Sequence, residues 1–160
     1  MKFLFVSVTL IFVLVNCGGE DSINPEGSFP HTNNGLYWSD KVTDKSYDEA
    51  VSYCKSIGGR LPSIGELRTL VINCPNMETD GECGINNSCL SYSDCPEYSC
   101  KGCSIDYNSG KYSALGFAGK FWSSSKATDY VAESAWTVDF DTAYFTPNTL
   151  SQSSSVLCVR

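Results

Sequence analysis

Nine cysteines, one histidine and eighteen carboxylates are the side chains of this sequence whose types could do chemistry. Six of the cysteines, Cys74, Cys83, Cys89, Cys95, Cys100 and Cys103, crowd between positions 74 and 103, and Cys95-x4-Cys100-x2-Cys103 has the spacing of a plant-type iron–sulfur loop. Cysteines this dense could also hold zinc, and Cys100-Lys-Gly-Cys103 has the form of a redox pair. No strand–helix pattern of the thioredoxin kind surrounds that pair. With Cys54 and Cys158 the cluster makes eight cysteines, an even number behind an export leader, which points to four disulfides and to no metal or cofactor. How the six clustered cysteines pair stays open.

Catalytic sets are scarce. His31 is the only histidine and falls in the polar stretch at 17–33 that reads as a tether, so no Ser-His or Cys-His nucleophile pair is expected inside the domain. Arg60 and Glu66 could form an ion pair at a site. The Ser63-x-x-Glu66 spacing accounts for Glu66 more simply, as a helix-capping carboxylate, with Arg60 and Pro62 completing a structural corner. Enzymatic activity is not expected.

At the N-terminus Met1-Lys2 precedes an unbroken apolar run from Phe3 to Val15. The run is shorter than the roughly 20 residues of a membrane-spanning helix and reads as an export signal over 1–16. Cys17 follows at once in "LVNCGG", which resembles a bacterial lipobox, so Cys17 is the expected lipidation site and a membrane the expected partner of the N-terminal lipid. Removing the leader takes away Lys2 and moves the formal charge from −7 to −8. So acidic a surface argues against nucleic acid as a partner. Residues 17–33 are polar, with Gly, Pro and Asn and no periodicity, and read as a tether; 34–160 read as one domain.

Within it, "GLYWSD" from Gly35 to Asp40 suits a first strand. Ser46 and Glu49 form a capping box that should start a helix with Tyr47, Ala50, Val51, Cys54 and Ile57 on one face, stopped by Gly58-Gly59. Ser63 and Glu66 form a second box before Ile64, Leu67, Leu70 and Val71, a second helix ended near Asn73-Cys74-Pro75. Residues 74–110 hold almost no aliphatic side chains, cannot build a core alone, and must be ordered by crosslinks. "KFWSSS" and "SAWTVDF" read as strands, the second with Trp136, Val138 and Phe140 on a single apolar face, and "SSSVLCVR" as a terminal strand.

Taken in order, "GLYWSD", "YDEAVSYC", "GGRLPSIGEL", "FWSSS", "AWTVDF" and "LCVR" resemble the Lcl C-terminal domain family, a bacterial domain of largely unassigned function. The match runs from Gly35 to Arg160, with Gly59 where that family often has Trp and with the 74–103 cluster as an addition. The family is similar to the C-type lectin-like fold, as are the formylglycine-generating and sulfatase-modifying proteins. The resemblance implies an α+β domain of two helices and a curved antiparallel sheet, with a disulfide-rich insertion at 74–110. It also implies a Cys54–Cys158 bridge, whose loop of about 100 residues chain-entropy arguments credit with roughly 4–5 kcal/mol.

Asp139 and Asp141 end the Trp136 strand near where C-type lectins place a calcium ligand. The Glu-Pro-Asn or Gln-Pro-Asn triplet that should precede such a strand is absent, so no calcium is expected there. Tyrosines on crosslinked loops make rigid contact surfaces, which marks Tyr92, Tyr98 and Tyr107, with Asp139 and Asp141, as the candidate ligand surface. The expected function is thus a lipid-anchored envelope or cell-surface protein whose lectin-like domain binds a glycan or protein ligand, as in adhesion. The alternatives are an envelope-maintenance lipoprotein without a soluble ligand, or a relative of the formylglycine-generating enzymes.

Overall fold

The computed structural model describes residues 28–95 and 100–160. The leader, Cys17, most of the expected tether and Tyr98 lie outside the described residues. The described chain opens with β1 (His31–Asn33) and β2 (Leu36–Trp38), an antiparallel hairpin turned at Asn34 and Gly35. Here the expected boundary at residue 34 needs correction: residues 31–33 are paired backbone, and Phe29 ahead of them is buried. Strand pairing is made by main-chain groups, so the polar composition of 31–33 did not reveal it.

There follow β3 (Val42–Lys45), α1 (Tyr47–Ser56), α2 (Ile64–Arg68), β4 (Lys120–Lys126), β5 (Ser134–Asp139), β6 (Tyr144–Thr149) and β7 (Ser154–Val156). Both helices start where the capping boxes place them. The Glu49 carboxylate accepts from the Ser46 amide at 2.8 Å, and that of Glu66 from the Ser63 amide at 2.7 Å. Gly58, at φ +78°, follows α1 in the left-handed conformation expected of its stop. α2 is shorter than its apolar stripe suggests; Leu70 and Val71 stay buried beyond its end, with Val71 bridged to Ser113.

The larger sheet has the order β3-β7-β4-β5-β6. β7 lies antiparallel to β3 and parallel to β4, so the sheet is mixed rather than antiparallel throughout as expected. Apolar clusters cover both faces. One gathers Ile64, Leu67, Phe121, Trp136, Val138 and Phe140 with residues of the insertion; the other gathers Ala50, Cys54, Trp122, Ala135, Val156 and Cys158. β5 therefore has no solvent face: Ser134 through Val138 are all buried, which corrects the reading of one apolar side. Each buried tryptophan contributes roughly 4–6 kcal/mol as an upper bound from its area. The described residues form a small α+β fold with four disulfides, one of which joins Cys54 of α1 to Cys158 beyond β7 across 104 positions.

Candidate functional site

The Arg-Leu-Pro corner is built around one ion pair. Arg60 donates twice to Glu66, at 2.6 and 2.7 Å, and these bonds, ahead of the Ser63 amide, hold the Glu66 carboxyl below its ordinary value. Register slips between Trp122 and Lys126, bulging Ser123–Ser125 out of β4 toward the corner. There the Ser124 amide donates to the Pro62 carbonyl at 2.7 Å, and the Ser125 hydroxyl accepts from the Ile64 amide at 3.0 Å. Arg60 and Val159 exchange backbone hydrogen bonds, which brings in the chain's last residues. Arg60, Pro62 and Glu66 thus join α2, β4 and the terminal segment. Gly59 suits this corner because a Cβ there would lie 2.6 Å from the Phe29 ring.

The insertion is crosslinked three times, by Cys74–Cys103, Cys83–Cys100 and Cys89–Cys95, so every sulfur of the candidate iron–sulfur, zinc and redox patterns is bonded to another cysteine. Between the bridges lies an element that the sequence reading missed. The Arg68 guanidinium, only 4% exposed, donates to the carbonyls of Met77, Glu78, Gly81, Cys83 and Ile85 at 2.7–3.2 Å, with the Phe145 ring 5.9 Å away. Burial lowers its pKa, but a guanidinium stays charged at any physiological pH. Five carbonyls converging on one planar cation supply the centre that side chains cannot. The signal was present: residues 64, 67, 68 and 71 have helical i, i+3, i+4, i+7 spacing, which puts Arg68 on the buried stripe.

The insertion is also fastened to both hairpin connections of β5. Near Ser134, Asp129 accepts from the amides of Tyr92 at 2.7 Å and Ser93 at 3.1 Å and from the hydroxyls of Ser91 and Ser93. These bonds, led by the Ser93 hydroxyl, hold its carboxyl down to about 2. At the other end of β5, Asp141 accepts from the Asn108 amide at 3.1 Å, Asp139 accepts from the Asp141 amide at 2.9 Å, and Cys103 donates to the Thr142 carbonyl at 2.7 Å. Gly102 permits that approach, since a Cβ on it would fall 2.3 Å from the Thr142 oxygen.

Consequently the candidate ligand residues among those described do not form one surface. Tyr92 stacks on Trp136 and meets Tyr130 edge-on at one end of β5. Tyr107 lies beside Asn108, which binds Asp141 at the other end, and is 76% exposed. Asp139 and Asp141 order the β5–β6 turn and its contact with the insertion. His31 belongs to β1, where its Nε2 lies 2.9 Å from Asp40 and its ring meets Phe117 edge-on.

Among the described residues, large apolar side chains are exposed in three places: Val131 between β4 and β5, Tyr37 in β2 and, toward the β5–β6 turn, Tyr107. Ile105, at 57%, and Ile72 are exposed with it. Their segments are tied together: Ile72 donates to the Tyr112 carbonyl at 3.2 Å, the Tyr112 hydroxyl to Ser104 at 2.6 Å, and the Asn73 amide group to Lys111 at 2.8 Å. The chain matches no family model, no curated protein and no solved structure.

Proposed function

We propose that this is a lipid-anchored envelope protein, related to the Lcl C-terminal domain family, whose lectin-like domain holds a rigid apolar patch toward a macromolecular ligand at the cell surface. The observation that carries the reading is the contrast within the insertion. Residues 74–103 are held by three bridges and Arg68, and the segment just beyond by the Asp106 amide on the Asp141 carbonyl and the Tyr112 hydroxyl on Ser104, yet Ile105 and Tyr107 point to solvent. Exposed apolar side chains on a hydrogen-bonded backbone have less ordering entropy to overcome on binding, as at other protein contact surfaces. The anchoring half rests on the leader and on Cys17 in "LVNCGG". The family half rests on the ordered motifs, and the corner they build from Arg60, Glu66 and the serine bulge is internally consistent with it.

The test uses the oxidised protein against immobilised glycans and extracellular-matrix proteins, comparing wild type with the double variant Ile105→Ser, Tyr107→Ser. Binding by wild type that the variant loses supports the reading. Equal binding by both, or none by either, would refute it. A second reading, an envelope-maintenance lipoprotein without soluble ligand, is favoured by the inward packing of Tyr92 against Trp136 and by the burial of Tyr112.

A further inference from the structure

A pocket of about 270 Å³, remote from the Tyr107 patch, opens between the β4–β5 connection and the residue that follows β6, lined by Lys126, Ala127, Glu133, Ser134 and Leu150. Its volume falls below the range of drug-sized sites, so it suits a very small molecule. Ser134 is 2% exposed, and its hydroxyl has no hydrogen-bond partner among the described residues. Leaving such a group unsatisfied costs about 1–3 kcal/mol, which a bound acceptor would recover. Lys126 supplies a second donor. Its Nζ stands 3.4 Å over the Tyr47 ring, and although Asp48 and Glu133 act on it electrostatically, neither forms an ion pair with it among the described residues. Cation–π contact fixes where the ammonium sits without using up its hydrogens.

We propose that this pocket binds the head group of a free α-amino acid. Lys126 and Ser134 donate to its carboxylate, Glu133 accepts from its ammonium, and a short side chain lies against Ala127 and Leu150. An anion alone would sit beside the Glu133 charge, and a cation alone beside Lys126; a zwitterion answers both. The hydroxyl and the ammonium also make the carboxylate end the better held, because both donate to it.

The experiment is an amide-resolved NMR titration of the oxidised protein with L-alanine, and separately with acetate and with methylammonium, to concentrations on the order of 10 mM. Saturable shifts with L-alanine at residues 126–127, 133–135 and 150, and weaker ones with either half-ligand, are expected. Ser134→Ala and Glu133→Gln should each weaken L-alanine binding roughly tenfold, near 1.4 kcal/mol. Glu133 is exposed, so its variant keeps the test valid if Ser134→Ala disturbs folding. Acetate or methylammonium binding as tightly as L-alanine, unchanged affinity in Glu133→Gln, or no saturable shift at all would overturn the assignment.

Discussion

Between Lys120 and Asp139 the chain buries Phe121, Trp122, Trp136 and Val138 completely, whereas among the described residues between Cys74 and Cys103 the buried apolar side chains are Met77, Ile85 and half-cystines. In the sheet, aromatic area on both faces supplies the stability. In the insertion, three covalent bridges, one buried guanidinium and the carboxylates at its edges stand in for that area. A segment poor in aliphatic residues can therefore be as well placed as a core strand. What orders it is polar and covalent, so it should fail under different perturbations.

The largest effect should come from the bridge that serves the whole domain. Replacing Cys54 and Cys158 by serine removes a crosslink across 104 positions and should lower unfolding free energy by at most about 5 kcal/mol, with both parts melting together in urea. Next stands Arg68→Met, which leaves five carbonyls without their donor. A loss of about 3 kcal/mol in the same assay is expected, and Arg68→Lys should restore little, because a point charge cannot span the five positions. Opening Cys89–Cys95 by paired serine substitution should have a smaller effect, near 2 kcal/mol, confined to the loop it closes and visible as faster amide exchange there.

The smallest effect is one of pH. Asp129 is held to about 2 in the folded protein against an ordinary 3.8, so its clamp on Ser91–Ser93 contributes above 3.8 and is lost as pH falls toward 2. Carboxyl NMR should follow this titration directly, and Asp129→Asn should remove the corresponding acid-dependent change at the Tyr92 amide.

Much of the sheet half was legible because its signals are local. Two capping boxes set both helix starts, Gly58 marks the end of α1, and the aromatic runs at 120–125 and 134–140 locate β4 and β5. β6 was not, since Pro147 argues against a strand unless it lies at an edge, which is where β6 runs. β1 and β3 are short and polar, so periodicity had nothing to report, whereas β2 falls inside the aromatic run read as a first strand at 35–40. In the candidate site, Glu66 was readable from capping spacing, and Arg60 and Pro62 from the Arg-Leu-Pro triplet ahead of it. The disulfide partners within the insertion, the hub at Arg68 and the hook at Asp129 depend on contacts that local spacing does not specify, even for Cys89 and Cys95, six positions apart. Of these only Arg68 left a trace, its place on the helical stripe. The stacking of Tyr92 on Trp136, which lies on a strand 44 positions away, left no such trace.

Native-state hydrogen exchange on the oxidised protein, wild type beside Arg68→Met, bears on the central point. Amides of Cys83, Tyr92 and Cys103 should be protected in wild type and should lose far more protection in the variant than the β4–β5 ladder amides do. If insertion and ladder lose protection equally, or the insertion is unprotected in wild type, Arg68 is not the centre that orders it.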